Sequence, residues 1–296
     1  LKRMNFEKTH TFRDLGLILA GILPYLIAIW TADILFTQDG PVHIYISTIL
    51  NELSNEDLRI SSPQNIANFY QDNWRIVPNL LGYIFLQPLL KIFGAIIAEK
   101  MIVSLYVCTL PFAIYFMARA FRVNPIFTVL VSFPLLTTSA LYIGFYNYSL
   151  SMIFFVIGIA LWITFETKEN LSSIKKIGYL TGLLLASLFA FLSHAMGLAM
   201  LLFICASGSI IFRLFEIQKN GLNTASRKFL NYTLPIGVCL LPSFLLFLYF
   251  LVQENTNTAE ITQIDQALWG SYENVDYFYL KILKHRFLSF FAGAFI

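Results

Sequence analysis

Two long stretches of the chain contain no charged residue, and they constrain its fold more than any other feature. The first covers residues 123–165 and the second residues 229–253. About 20 consecutive apolar residues are enough for one crossing of a bilayer, and a soluble core needs no stretch of this length. With 57% hydrophobic and 12% charged residues, the sequence predicts an all-α polytopic membrane protein and gives no indication of nucleic-acid binding.

The positions of Lys and Arg predict the orientation of the chain. A basic N-terminus precedes the first apolar stretch, which predicts a cytoplasmic N-terminus. The segment 76–93 is ambiguous, because it is nearly long enough to cross but contains Pro78, Pro88 and Lys91. If it does not cross, most of the 20 Lys and Arg residues lie on the cytoplasmic side, as the positive-inside bias requires. We therefore predict a juxtamembrane or re-entrant helix here.

This topology gives seven predicted spans, over residues 15–36, 96–118, 125–143, 148–165, 177–192, 197–212 and 229–252. We expect one transmembrane domain over residues 1–296, in the cell (inner) membrane, with outer loops at 37–95 and 253–284. The chain starts with Leu1 and stops within a new apolar run, so we also expect further helices beyond its C-terminal end. The three cysteines lie in apolar runs without paired or metal-type spacing, and this pattern predicts core residues.

The segment after the first span places a carboxylate and an imidazole where hydrocarbon meets water. Apolar residues then recur with the spacing of one helical face, which predicts a helix lying on the membrane surface. This face comprises Val42, Tyr45, Ile46, Ile49, Leu50 and Leu53. A polar stripe follows its flank at every fourth position, formed by Asp39, His43, Ser47 and Asn51.

Asp39 and His43 are the strongest candidates for chemistry. A carboxylate at this depth can accept a proton from a sugar hydroxyl or bind a divalent ion that bridges to a phosphate. His43, one turn later, can orient that group or contact the phosphate. In the simpler interpretation Asp39 only caps the surface helix, with Gly40 and Pro41 as an ordinary helix start.

Further candidates lie in the same predicted outer face. Trp74 and Arg75 offer an aromatic platform and a guanidinium that suit a sugar phosphate, although such a pair is also a common interfacial anchor. Asn147 lies in a very short break between two spans and could bind a sugar. His194 lies at a tight turn and is expected to face a cavity, with a neutral histidine bound to a backbone carbonyl as the simpler alternative. Asp33 is predicted within the outer end of the first span.

Three features together carry a resemblance to a known family. They are the segment Gln38-Asp39-Gly40-Pro41-Val42-His43, the segment Gly144-Phe145-Tyr146-Asn147-Tyr148-Ser149-Leu150, and the predicted topology. The chain resembles the membrane-embedded C-type glycosyltransferases (the GT-C class), in particular bacterial proteins with Asp-Gly-Pro-x-His after the first helix. The resemblance implies a sugar donor linked to polyprenyl phosphate, a glycan, lipid or protein acceptor on the outer face, and Asp39 as base or metal ligand.

The chain also departs from that family. Many members carry a second acid, whereas here Gly40 follows Asp39 and the second outer loop offers Asn147 but no acid. Dependence on a divalent cation such as Mg²⁺ or Mn²⁺ therefore stays open, with Asp39 as its ligand if one binds. Without a metal, Arg75, His43 or Lys91 would stabilise the departing phosphate.

The sequence leaves three functional hypotheses. The first is an inverting sugar transfer in which Asp39 takes the acceptor proton. The second is a transporter or flippase-like protein for lipid-linked sugars, which would need polar groups through the bilayer midplane, and the predicted spans contain few of these. The third is a non-catalytic assembly subunit, for which substitutions of Asp39 and His43 would be silent.

Overall fold

The computed structural model describes residues 11–55, 70, 75–168 and 171–269, and it describes side chains within residues 12–253 of these ranges. The chain divides into two units, Leu1–Phe247 and Leu248–Ile296. The first unit is an all-α helical bundle. Of the second, only the continuation of one helix to Trp269 is described.

Eleven α-helices follow one another along the described part of the chain. They are α1 (Thr11–Thr31), α2 (Gly40–Leu53), α3 (Leu80–Phe93), α4 (Ala95–Ala120), α5 (Pro125–Ser132), α6 (Ser139–Ile143), α7 (Tyr146–Thr167), α8 (Ser173–Ser193), α9 (Ala195–Asn220), α10 (Leu222–Lys228) and α11 (Leu234–Trp269). A 3₁₀ turn (Phe133–Thr137) joins α5 to α6, and a π-helical turn (Phe229–Thr233) joins α10 to α11.

Seven helical segments of the described chain are long and apolar enough to cross a membrane. They correspond one to one with the seven predicted spans, so the prediction of a polytopic, multi-pass helical membrane protein is confirmed. The first boundary is wrong, because α1 ends at Thr31 and leaves Asp33 exposed beyond the helix. Just past this end, the Lys100 ammonium of α4 donates a hydrogen bond to the Ala32 carbonyl, which satisfies an acceptor that a longer helix would have paired.

The central helix of the bundle is α7. It packs against α4, α8 and α9, and side chains all around it are buried, including Leu150, Phe155 and Trp162. A helix that is apolar on every side is expected in the middle of a large bundle. The indole nitrogen of Trp162 donates to the Ser209 hydroxyl of α9, so the polar end of this buried ring also has a partner.

Contacts between helix ends define two opposite ends of the bundle. The start of α4, the start of α7 and the α8–α9 turn lie together at one end, which we call the Asp39 end. The last turns of α7 and α9 lie together with α10 at the other, which we call the Glu166 end.

Both ends of α3 lie at the Asp39 end. Its first turn is bonded to α7 through the Gly82 amide and Asn147, and the preceding Asn79 amide donates to the Ser193 carbonyl of α8. After Gly94 the chain enters α4 directly. This 14-residue helix therefore does not run through the bundle, and the geometry favours the juxtamembrane interpretation of segment 76–93.

The predicted surface helix forms as α2, but its polar stripe does not lie at an exposed flank. Ser47 is fully buried, and the Asn51 amide donates to the Gln87 carbonyl of α3. Val42 and Tyr45 of the predicted apolar face are instead 52% and 56% exposed. The polar side of α2 packs against α3, and part of its apolar side points outward, as expected where the surroundings are lipid.

Candidate functional site

The Asp39 loop is fixed by backbone contacts with the loop between α6 and α7. The Asp39 amide donates to the Ile143 carbonyl at 2.7 Å, and the Gln38 amide donates to the Tyr142 carbonyl at 3.4 Å. Gly144 has a φ of +90°, and a Cβ atom built on it would lie 2.6 Å from the Gly40 nitrogen. The position of Asp39 is therefore set by main-chain atoms rather than by its own side chain.

Asp39 occupies the N-cap position of α2, and its carboxylate makes no capping hydrogen bond. Its backbone carbonyl accepts hydrogen bonds from the Val42 and His43 amides, each at 3.1 Å, and the proline at the start of α2 presets the helical backbone. The side chain is half-buried. The simpler interpretation, that the carboxylate serves as a helix cap, therefore does not describe this structure.

His43 lies one turn along α2 and is enclosed by two tyrosines. Its Nδ1 shares a hydrogen bond of 3.1 Å with the Tyr83 hydroxyl of α3, and its ring centroid lies 5.8 Å from that of Tyr146. Burial lowers the pKa of His43 below its ordinary value, although the nearby Asp39 carboxylate and the Gly144 backbone oppose this shift. The imidazole is therefore neutral at neutral pH, with its ring orientation fixed by Tyr83.

Glu99 is a second carboxylate at this site, and the sequence analysis missed it. The Tyr146 hydroxyl donates to Glu99 Oε1 at 2.5 Å, and the Thr37 hydroxyl donates to the same atom at 3.2 Å. A side chain on Gly40 would overlap this Glu99 oxygen. The sequence analysis looked for a second acid next to Asp39 and in the second outer loop, and Glu99 lies in neither place, because it comes from the start of α4.

A signal for Glu99 was present in the sequence. Glu99 and Lys100 are the only charged residues inside the predicted span 96–118, and ionisable residues in a span are costly unless they have partners or a function. Both are buried in the structure. Glu99 accepts hydrogen bonds from the Tyr146 and Thr37 hydroxyls, and Lys100 donates one to the Ala32 carbonyl.

Arg75 borders a small cavity of about 190 Å³ beside His43. The cavity lies between α2 and the start of α3, and most of its lining is apolar. It is lined by Ile46, Leu50, Arg75, Val77, Pro78, Asn79, Leu80 and Tyr83. Since Tyr83 also binds His43, the cavity adjoins the Asp39 site. Trp74 lies outside the described residues.

Asn147 and His194 both help to position helices. Buried Asn147 accepts the Gly82 amide at 2.7 Å through Oδ1, so this oxygen is occupied by the first turn of α3. His194 Nδ1 accepts the Met196 amide and so caps α9, and its ring packs edge-on against Tyr148. Burial lowers the pKa of His194. The sequence analysis also considered a backbone carbonyl as the partner of this ring. For Nδ1 this alternative is wrong, because its partner is the backbone N–H of Met196.

The sequence-predicted residues thus come together only in part. Asp39 and His43 share one site, and Arg75 lines a cavity whose wall includes Tyr83, the hydrogen-bond partner of His43. His194 lies farther off and is linked to the cavity wall through the hydrogen bond between Ser193 and Asn79. Among the described residues, no group of three or more His, Cys, Asp and Glu side chains could hold a metal ion.

Comparisons with protein-family models, with curated proteins and with solved structures give no match for this chain.

Proposed function

We propose that this protein is a membrane glycosyltransferase that moves a sugar from a polyprenyl-phosphate donor to an acceptor at the outer face of the cell membrane. The acceptor is a glycan, a lipid or a protein. The N-terminus is then cytoplasmic, and the Asp39 end of the bundle lies at the outer leaflet. The basic residues flanking α1 and the ends of α4, α7 and α9 support this orientation.

One observation carries the proposal: Asp39 is held at an N-cap by main-chain contacts while its carboxylate is free of the capping bond. N-cap aspartates ordinarily use that carboxylate to bind the first amides of the helix. Here the carboxylate is half-buried and remains available to an external hydroxyl. A general base needs this combination of a fixed position and an unoccupied oxygen.

The proposed reaction is an inverting transfer. Asp39 accepts the proton of an acceptor hydroxyl, whose oxygen forms the new bond to the anomeric carbon. The bond between that carbon and the phosphate oxygen breaks, and the phosphate departs with the electron pair. The Arg75 guanidinium stabilises the charge that develops on the phosphate, and neutral His43, held by Tyr83, donates or accepts a hydrogen bond beside it.

The cavity beside Tyr83 supports a donor with a hydrocarbon chain. Its walls come mainly from Ile46, Leu50, Val77 and Leu80, and Arg75 is the one charged residue among the described residues that line it. An apolar chain that ends in a phosphate matches this distribution, because the chain is desolvated on the apolar walls while the phosphate reaches the guanidinium.

The test is sugar transfer by membranes containing the Asp39→Asn variant. Polyprenyl-phosphate hexoses with a radiolabelled sugar serve as donors, and label incorporated into the acceptor fraction is measured. Removal of a general base typically lowers the rate about 10²- to 10⁴-fold. The matched control is Asp33→Asn, an acid in the same loop that is exposed and lies outside the site, and we expect it to leave transfer unchanged.

Full transfer by Asp39→Asn would refute the proposed role of this carboxylate. If Asp39→Asn and His43→Gln are both silent while the cells still require the protein, the assembly-subunit hypothesis gains support instead.

A further inference from the structure

A second cavity, of about 250 Å³, lies at the Glu166 end of the bundle, opposite the Asp39 site. It is enclosed by the last turn of α7, the second half of α9 and the α10 region. Its lining is polar, in contrast to the cavity beside Tyr83. It is formed by Glu166, Thr167, Phe212, Arg213, Glu216, Lys228 and Tyr232.

Arg213 in this cavity has more hydrogen-bond donors than partners. Its Nη2 donates to Glu166 Oε2 at 2.6 Å, and the Glu166 side chain is fully buried. The Nε and Nη1 atoms of Arg213 are buried and have no hydrogen-bond partner among the described residues. A guanidinium carries five N–H donors, and leaving donors of a charged group unsatisfied away from water is costly. An acceptor from outside the chain would remove this cost.

The other charges around the cavity favour an anionic acceptor. Glu166 is already bound by Arg213, Ser209 and Thr233. Glu216 is bound by Lys228 at 2.9 Å and by the Asn220 amide. The Lys176 ammonium also lies 5.7 Å from the ring centroid of Tyr232.

Both carboxylates are therefore occupied by donors. Two cationic residues, Arg213 and Lys228, line the cavity, and Lys176 contacts the ring of the lining residue Tyr232. Arg213 in particular lines the cavity, and its Nε and Nη1 atoms have no hydrogen-bond partner within the part of the chain that the structure describes. Two residues next to cavity residues in the chain are apolar and exposed. They are Leu214 after Arg213 and Phe229 after Lys228, each with more than a third of its surface exposed. Such surroundings suit the boundary between lipid headgroups and hydrocarbon.

We propose that this cavity binds the phosphate group of an anionic ligand, with Arg213 and Lys228 as the binding residues. The phosphate oxygens accept hydrogen bonds from the free Arg213 donors and from the Lys228 ammonium. Arg is well suited to this task because its planar donors match the phosphate oxygens. The phosphate belongs either to an anionic phospholipid headgroup or to a soluble phosphate.

Native mass spectrometry of the full chain, released from neutral detergent, tests the proposal. Phosphatidylglycerol, phosphatidylcholine and inorganic phosphate are titrated separately, and saturable binding is expected for phosphatidylglycerol or for inorganic phosphate. Saturation by phosphatidylglycerol alone identifies a lipid as the source of the phosphate. If inorganic phosphate binds saturably and displaces any bound phosphatidylglycerol, the phosphate comes from a soluble ligand.

Two variants and one control complete the experiment. Lys228→Gln removes one binding residue, and the double variant Glu166→Gln with Arg213→Gln removes the other without leaving a buried unpaired carboxylate. We expect each to weaken binding about tenfold or more, as the loss of charge-assisted hydrogen bonds implies. Lys219→Gln on the exposed end of α9 is the control and should bind like the unaltered chain.

The proposal is overturned if neither phosphate nor phosphatidylglycerol binds saturably, or if Lys228→Gln binds as tightly as the Lys219→Gln control. If the double variant does not fold, the binding measured for Lys228→Gln alone tests the proposal. This variant removes only a partly exposed ion pair, so we expect it to fold.

Discussion

Gly144 combines a left-handed backbone with a contact that leaves no room for a side chain. Its φ is +90°, and the space where a Cβ would lie is taken by the Gly40 and Asp39 main chain. Any other residue would therefore be strained in its own backbone and would also push the Asp39 loop away. One glycine in the second loop thereby controls where the proposed base lies.

We expect Gly144→Ala to lower the thermal unfolding midpoint more than Gly221→Ala does. Gly221 also has a positive φ, of +81°, but nothing lies within 4 Å of its Cβ position. Both variants carry the backbone cost of about 1 kcal/mol or more, and only Gly144→Ala adds the clash. Equal midpoints for the two purified variants in the same detergent would contradict the close approach to Asp39.

Local spacing was enough to predict some of the site, and tertiary packing decided the rest. Asp39 and His43 are one helical turn apart, so their proximity follows from the sequence alone. Glu99 reaches Thr37 and Tyr146 only after three helices have packed, and no local pattern reports such a contact. Asn147 was predicted as a sugar ligand, but its side-chain oxygen is occupied by the Gly82 amide.

The element that organises the Asp39 end is α3, whose start is held from outside. Asn79 at its N-cap makes no side-chain cap and has a left-handed backbone, with a φ of 67°. The Gly82 amide in the first turn has no partner within the helix, and Asn147 of α7 supplies one. The same contact fixes Tyr83, the next residue, and through it the ring of His43.

A double-mutant cycle on Asn147 and Gly82 should be strongly non-additive. Asn147→Ala leaves the buried Gly82 amide unpaired, which costs about 1–3 kcal/mol. Gly82→Ala alone creates a clash with the Asn147 side chain, and this clash disappears when residue 147 is alanine. Unfolding midpoints of both single variants and the double variant measure the coupling. Simple addition of the two losses would mean that α3 is not held by this contact.

The periodicity of α2 correctly predicted a helix, and the exposure of Val42 and Tyr45 agrees with an apolar face that lies against lipid. In water the apolar face of a helix turns toward the core. In α2, the Asn51 amide donates to the Gln87 carbonyl of α3 and Tyr45 is exposed, because an apolar side chain loses nothing by facing lipid while a polar one needs partners in the protein. The same reasoning assigns the inner side of α2 to residues 43, 47 and 51.

At the scale of the whole molecule, charge and hydropathy were sufficient to predict the seven spans. Their number follows from the length of the apolar runs, which the bilayer thickness constrains tightly. The interpretation of segment 76–93 depended on the count of basic residues on each side of the membrane. In the structure, the helix of this segment starts and finishes at the Asp39 end of the bundle. How the bundle packs around α7 did not follow from the sequence, because the spans have similar compositions.

Cysteine labelling in intact cells should reveal the orientation of the bundle. In a background without Cys108, Cys205 and Cys239, Thr48→Cys on exposed α2 should react with a membrane-impermeant maleimide. Gln218→Cys at the exposed end of α9 should react only after the membrane is permeabilised. The reverse pattern would place the Asp39 end in the cytoplasm and would remove the proposed access to an outer-face acceptor.

The hydrogen bond between the Asp39 amide and the Ile143 carbonyl also has a consequence for biosynthesis. About a hundred residues separate Asp39 from Ile143 in the sequence, and the helices α2 to α5 lie between them. Until Ile143 is in place, the Asp39 amide in the loop before α2 lacks the carbonyl that it binds in the folded protein. The proposed site around Asp39 should therefore assemble only when the third predicted span has entered the bilayer, however early the N-terminal helices are made.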